Sequence, residues 1–233
     1  MKTPALLILL ATLATPAQSL REVAVARPAP ENARIAIGFL GALEHWDDPN
    51  RSVRKVTLHL RQQGWQAESF SHRNLRTAKK TIDQALDRNH NHRIDPAEAA
   101  SARIVIYGQS MGGAATIKLA KYLKSQGVPV LLTVQVDSVG THDGRIPANV
   151  HAAANFYQKH WFTIRGEDKI QAADPQHTQI LGNFEYEYPL WHPHTWPESW
   201  PRRIFGGAHA RMEADPALWS RVETLIQEAG IPK

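Results

Sequence analysis

The feature that most constrains this chain is a serine between two glycines, at the point where a strand pattern changes into a helix pattern. Ile104 begins a run of four mostly apolar, β-favouring residues that leads directly to Gly108, Ser110 and Gly112 in a Gly-x-Ser-x-Gly arrangement, and a helical pattern opens at Ala114. A strand that turns sharply into a helix needs small residues on both sides of the turn, because side chains there would collide with the neighbouring strand or helix. The sequence therefore predicts a tight strand–turn–helix unit with the Ser110 hydroxyl at its apex.

This unit resembles the nucleophile elbow of the α/β-hydrolase superfamily, in which the apical serine is held in a strained conformation and attacks a carbonyl carbon. The resemblance implies an α/β fold with a mostly parallel doubly wound sheet in a three-layer sandwich, here in a compact version that occupies residues 20–233 as a single domain. The alternative is a Gly/Ser turn of some other α/β protein, in which Ser110 only caps the helix.

Length and composition are compatible with this interpretation. The 233 residues suffice for one domain with a substantial core, and hydrophobic residues (42%) and charged residues (21%) occur at the levels of ordinary globular proteins. The chain contains no cysteine, which excludes a cysteine nucleophile, disulfide bonds and thiolate metal ligands.

The first residues have the pattern of a secretory signal peptide, which we assign to residues 1–19. Lys2 is followed by an apolar run over residues 4–14 and then by small residues suited to cleavage. The apolar run is too short to cross a bilayer as an ordinary helix, so that an uncleaved membrane anchor is the less favoured alternative. The pattern predicts a secreted or periplasmic protein.

The net charge of the chain is +5, and removal of Lys2 with the leader lowers it to +4. A positive charge suits peripheral contact with a membrane or another anionic surface. The basic residues are scattered and form no nucleic-acid-binding motif. We therefore expect no nucleic-acid partner. The resemblance to hydrolases implies a small-molecule ester or lipid substrate, and we expect a monomer.

A second glycine-rich stretch lies near the start of the domain. An apolar strand pattern over residues 35–41 ends in Gly38-Phe39-Leu40-Gly41, which resembles the His-Gly-x-x-Gly loop of bacterial lipases, with Ile37 in place of the histidine. The resemblance implies that the backbone N–H groups of Phe39 and Met111 form the oxyanion hole. The alternative is a simple turn.

A further segment, residues 87–98, resembles the calcium loop of an EF-hand. The oxygen-bearing side chains at its positions 1, 3, 5, 9 and 12 are those of Asp87, Asn89, Asn91, Asp95 and Glu98. His92 stands where the pattern has a glycine. The resemblance implies a structural calcium ion, whereas catalysis needs no cofactor. The alternative is a helix connection held by Asx turns, with Asp95 as an N-cap; either way, the segment is a short insertion before the elbow strand.

A serine nucleophile needs a base to accept its proton, and α/β-hydrolases present the catalytic residues in the chain order Ser, acid, His. We expect His209 to lie in a glycine-rich loop after the last expected strand and before the last expected helix, where the superfamily keeps its base. The second choices are His177, His192 and His194, from a section over residues 174–203 that we predict to be irregular.

Two aspartates are candidates for the acid. Asp137 ends the strand that follows the elbow helix, at the sheet edge where catalytic groups gather. Asp168 resembles the acid that many other hydrolases carry one strand later, but its spacing is one residue short. We choose Asp137, with Asp168 as the alternative.

These residues predict an exported serine hydrolase of esterase, lipase or thioesterase type, with an acyl-enzyme formed on Ser110. A non-catalytic binding module on the same fold, dependent on calcium, is the alternative function, and a peptidase of the same superfamily is a weaker one. The tryptophans between residues 191 and 200 fit either an acyl pocket or lid, or the core.

Overall fold

The computed structural model describes residues 18–42, 44–159, 166–188 and 207–231. The strands in these segments are β1 (Arg34–Leu40), β2 (Gln66–Ser71), β3 (Arg103–Gln109), β4 (Val130–Val136), β5 (Arg145–Ile146), β6 (Val150–Tyr157), β7 (Gln171–Ala172) and β8 (Gln179–Glu185). The helices are α1 (Ser52–Gln62), α2 (Leu75–Leu86), α3 (Pro96–Ala100), α4 (Met111–Ser125), α5 (Gly207–Ala214) and α6 (Pro216–Ala229). No helix among the described residues combines the length and the apolar character needed to cross a membrane.

The central sheet has six strands in the order β2-β1-β3-β4-β6-β8, and every neighbouring pair is parallel. After β1 the chain forms β2 on one side, and it then returns to form β3 on the other side of β1. Catalytic and ligand-binding groups of open parallel sheets gather at the carboxyl ends of the strands beside such a reversal. The loops that follow β1 and β3 meet at this position.

Helices cover both faces of the sheet. On one face the buried side chains include Ile82 of α2 and Ile117 of α4 against Ile106, and on the other they include Leu60 of α1 against Val134. The strands are apolar on both sides, as a sheet between two helical layers requires. The expected fold class, a doubly wound parallel sheet in a three-layer sandwich, is confirmed.

The edge strand β8 corrects the prediction that residues 174–203 are irregular. Gln179–Glu185 contains a glycine and an asparagine, which strands disfavour, and its residues are mostly half-buried. Its stability as a strand comes from pairing with β6 across a register shift between Ala153 and Ala154, and a local sequence pattern does not reveal such pairing.

Several predictions fall outside the described residues. They are most of the signal peptide (up to residue 17) and the tryptophan-rich stretch over residues 191–200. They stay predictions.

The elbow packs so closely on β1 that one glycine tolerates no substitution. A Cβ atom added to Gly112 would lie 2.1 Å from the carbonyl oxygen of Phe39. We expect Gly112→Ala to lower the free energy of unfolding by about 3 kcal/mol or more, because two backbone segments must separate. Denaturant unfolding followed by circular dichroism measures the change.

Gly127 provides the matched control. Its φ is +70°, yet a Cβ there would meet no atom within 4 Å. Gly127→Ala should therefore cost only the conformational strain, about 1 kcal/mol. Equal losses in the two variants would show that the close approach at Gly112 is unimportant.

Candidate active site

Ser110 lies at the turn between β3 and α4 in a conformation that side chains rarely adopt, with φ 56° and ψ −127°. Its N–H donates to the carbonyl of Val136 at 2.9 Å, and its own carbonyl accepts from Val139 at 3.0 Å and from Gly113 at 2.9 Å. The end of β4 therefore fixes the turn, and only 7% of the residue is exposed.

The structure brings Asp137 and His209 into direct contact. The Oδ2 atom of Asp137 lies 2.6 Å from Nδ1 of His209, and both residues are buried. Asp137 follows β4 directly, with a φ of 42°. His209 lies in the first turn of α5 and not in a loop, so the sequence-based expectation for its local structure was wrong.

Two further groups donate to the Asp137 carboxylate. The N–H of Gly166 donates to Oδ1 at 3.0 Å, and the side-chain amide of Gln158 donates to Oδ2 at 3.2 Å. Burial of a carboxylate is costly unless hydrogen bonds replace its hydration. These donors satisfy that requirement, and no motif in the sequence indicated either of them.

The other predicted site residues lie elsewhere. Asp168 is partly exposed in the turn before β7, where it borders a polar cavity of about 310 Å³ that Ser110 does not line. His177 is exposed and pairs with Asp174 at 2.7 Å. His192 and His194 lie outside the described residues.

The imidazole of His209 forms a hydrogen bond with Gln109 and not with the serine in the described segments. Its Nε2 atom lies 3.3 Å from the side-chain nitrogen of Gln109. Within the segments that the structure describes, the Ser110 hydroxyl forms no hydrogen bond with His209. The site therefore contains a paired carboxylate and imidazole beside a serine hydroxyl that forms no hydrogen bond with the imidazole in the described segments.

The two predicted oxyanion donors have different environments. Met111 is the first residue of α4 and is 42% exposed, and the first N–H groups of a helix have no acceptor within it. Phe39 lies inside β1, paired with Phe70 on one side and with Gly108 on the other. Its amide thus belongs to the sheet, which corrects the expectation that it faces the serine. The backbone just beyond the strand lies close to the serine, because a Cβ on Gly41 would lie 3.1 Å from the Cβ of Ser110.

A carboxyl group that the sequence did not reveal lies next to this turn, with a side chain that is only 10% exposed. Glu44 accepts a hydrogen bond from the N–H of Gly41 at 2.9 Å, and Arg51 bridges Glu44 at 3.4 Å and Glu213 of α5 at 3.6 Å. Burial raises the pKa of Glu44 to about 7, and the charge of Glu213 adds to this effect, whereas Arg51 opposes it. The group therefore changes charge near neutral pH.

This pKa predicts a pH-dependent stability. A carboxyl whose pKa is higher in the folded state than in the unfolded state stabilises the fold at low pH, and this contribution is lost as the pH rises from about 4.5 through about 7. Glu44→Gln, which stays neutral, should gain stability over the wild type across this range, by up to roughly 3 kcal/mol. Urea unfolding at a series of pH values measures the difference.

The control for charge removal is Glu228→Gln, at an exposed carboxylate near the end of α6. A stability difference that grows with pH in the Glu44 variant but not in the Glu228 variant is the expected result. If the stability difference from the wild type changed with pH in the same way in both variants, Glu44 would not be a buried group that ionises in this range.

The calcium-like loop is closed by its own hydrogen bonds. The carboxylate of Asp87 accepts the N–H groups of Asn91 and His92, and the side-chain amides of Asn89 and Asn91 both donate to Asp95. His92 has a φ of 63°, which is the left-handed conformation that the calcium pattern assigns to a glycine.

The last predicted ligand of that loop is also occupied. The Glu98 carboxylate accepts the N–H groups of Arg88, Asn89 and Asp95 and caps the five-residue helix α3. Across the described segments no group of three or more His, Asp or Glu side chains is arranged to hold a metal ion. The Asx-turn interpretation accounts for this arrangement, and calcium binding stays a prediction.

The sheet order and the elbow together are those of the α/β-hydrolase fold. No protein-family model and no curated protein matches the chain.

Among solved structures, the chain is similar to a dienelactone hydrolase from Anabaena variabilis, with 13% identity, coverage of 84% of each chain and a TM-score of 0.41. It is also similar to a dienelactone hydrolase-like promiscuous phosphotriesterase from metagenomic libraries, with 16% identity, coverage of 88% of each chain and a TM-score of 0.41. A third similar structure is the RedJ thioesterase of the prodiginine biosynthetic pathway in Streptomyces coelicolor, with 12% identity, coverage of 85% of this chain and 89% of that chain, and a TM-score of 0.38.

Proposed function

We propose that this protein is a serine hydrolase that cleaves carboxylic ester or thioester bonds through an acyl-enzyme on Ser110. The observation that carries the proposal is the buried pair of Asp137 and His209, 2.6 Å apart, at the same sheet edge as a serine in a strained turn. A carboxylate that orients an imidazole beside a serine is the arrangement that makes a hydroxyl nucleophilic.

In the proposed mechanism the Ser110 oxygen attacks the carbonyl carbon of the substrate, and Nε2 of His209 takes the hydroxyl proton. Asp137 keeps the proton of Nδ1 in place and stabilises the positive charge that forms on the imidazole. The tetrahedral intermediate then expels the alcohol or thiol, which receives the proton from His209. Water, activated by the same imidazole, hydrolyses the acyl-enzyme and releases the acid.

The negative charge of the intermediate needs N–H donors that are already oriented. We assign the first to Met111, at the N-terminus of α4, where the helix dipole also favours a negative charge. We reassign the second from Phe39 to the backbone N–H of Ala42. The turn that follows β1 packs against Ser110, and within it the N–H of Gly41 already donates to Glu44.

The substrate in this proposal is a small ester, thioester or lipid, and no cofactor takes part. The pattern of residues 1–19 supports action outside the cytoplasm, and the positive net charge supports peripheral contact with anionic surfaces.

The serine assignment is tested with a fluorophosphonate probe, which forms a covalent bond with activated serines. The wild type should be labelled on Ser110, and Ser110→Ala should lose all labelling because the residues on either side, Gln109 and Met111, have no hydroxyl group. Ser220→Ala, at an exposed serine of α6, is the control and should be labelled like the wild type. Absence of labelling in the wild type would instead favour the non-catalytic binding module.

The acid is tested with a matched pair of variants. Asp137→Asn should lower kcat for a p-nitrophenyl ester by about 10³- to 10⁴-fold, because an amide neither holds the required tautomer nor stabilises the charged imidazole. Asp168→Asn should change kcat less than about threefold, within the usual range for a group that does not contact the base. The reverse order of effects would assign the acid to Asp168.

A further inference from the structure

The residue directly before the nucleophile contacts the base. Gln109 is the last residue of β3, and only 2% of it is exposed. The nitrogen of its side-chain amide lies 3.3 Å from Nε2 of His209.

The protonation state of the His209 imidazole determines which of the two groups donates the hydrogen bond in this contact. Nδ1 of His209 lies 2.6 Å from a carboxylate oxygen of Asp137, and a carboxylate accepts a hydrogen bond but donates none when ionised. In the neutral imidazole, Nδ1 therefore carries the proton and Nε2 has a lone pair. Only the NH₂ end of the Gln109 amide can form a hydrogen bond there, as the donor.

That lone pair is the acceptor that the proposed mechanism needs for the proton of Ser110. An imidazole nitrogen has one lone pair in the ring plane, so it accepts one strong hydrogen bond at a time. In the described part of the chain the Ser110 hydroxyl forms no hydrogen bond. The amide of Gln109 instead occupies the Nε2 lone pair that would have to accept the hydroxyl proton.

From this contact we infer that Gln109 is a positioning residue, which occupies the base in the resting enzyme and must release it before Ser110 can be activated. The inference rests on the proposed function and deepens it by assigning a regulatory contact to the same site. Release requires a small shift of either the amide or the imidazole, and a substrate group beside Ser110 can induce it.

The Gln109 side chain occupies space that is free because residue 41, directly after β1, is a glycine. A Cβ atom on Gly41 would lie 2.6 Å from the Oε1 atom of Gln109, so that any side chain at Gly41 would displace the amide. The same glycine packs against Ser110 and donates its N–H to Glu44. The amide is therefore enclosed between the turn that follows β1 and the helix that carries His209.

The test compares rates of fluorophosphonate labelling in two variants with opposite expected effects. Gln109→Leu keeps the approximate volume and removes the donor, and its labelling should be about five times faster, the factor that corresponds to one net neutral hydrogen bond of about 1 kcal/mol. Gln109→Glu places a carboxylate against Nε2, which holds a proton there, and its labelling should be at least about ten times slower. A purely structural role for Gln109 would slow labelling in both.

Gln126→Leu, at an exposed position after α4, is the control and should label at the wild-type rate. Gln109→Met, with an unbranched chain of similar length, replaces the leucine variant if that protein does not fold. Unchanged or slower labelling in the folded apolar variant would overturn the inference while leaving the serine assignment intact.

A second measurement does not depend on activity. The ¹⁵N resonance of Nε2 of His209 should move to higher frequency in Gln109→Leu, because the lone pair loses its donor. An unmoved resonance would overturn the inference even if the wild type were not labelled at all, whereas absence of wild-type labelling alone counts against the proposed function.

Discussion

The carboxylate of Asp137 joins parts of the chain that are far apart in sequence. It accepts hydrogen bonds from Gln158 after β6, from the backbone of Gly166 and from His209 in α5. A buried carboxylate is stable only with such partners, because its hydration is lost. The need of one buried charge for hydrogen-bond partners thus relates the position of the His209 imidazole to those of Gln158 and Gly166. The proposed chemistry depends on the position of the imidazole.

The elbow and the parallel, doubly wound character of the sheet could be predicted from sequence because their causes are local. Small residues around Ser110 are required by the close approach of β1 to α4, and strands buried on both faces have continuous apolar patterns. These two signals were enough to indicate the fold. Asp137 and His209 were chosen from the resemblance to the superfamily, and their catalytic roles stay a proposal.

The remaining features depend on contacts that no local pattern encodes. The strand β8 is stabilised by pairing with β6, and Phe39 differs from the actual turn by only two residues, which is within the uncertainty of any strand end. Gln109 and Glu44 are ordinary polar residues in the sequence. Their importance arises from burial next to His209 and Gly41, which only the assembled fold creates.

The distribution of donors around Asp137 also has a consequence for the newly synthesised protein. Ser110 and all eight described strands are synthesised before the ribosome reaches His209, which lies in the helix that follows them among the described elements. Until that last portion docks, position 110 carries an alcohol as unreactive as any other serine. Under the proposed chemistry, an emerging or truncated chain is therefore harmless to the esters and lipids around it.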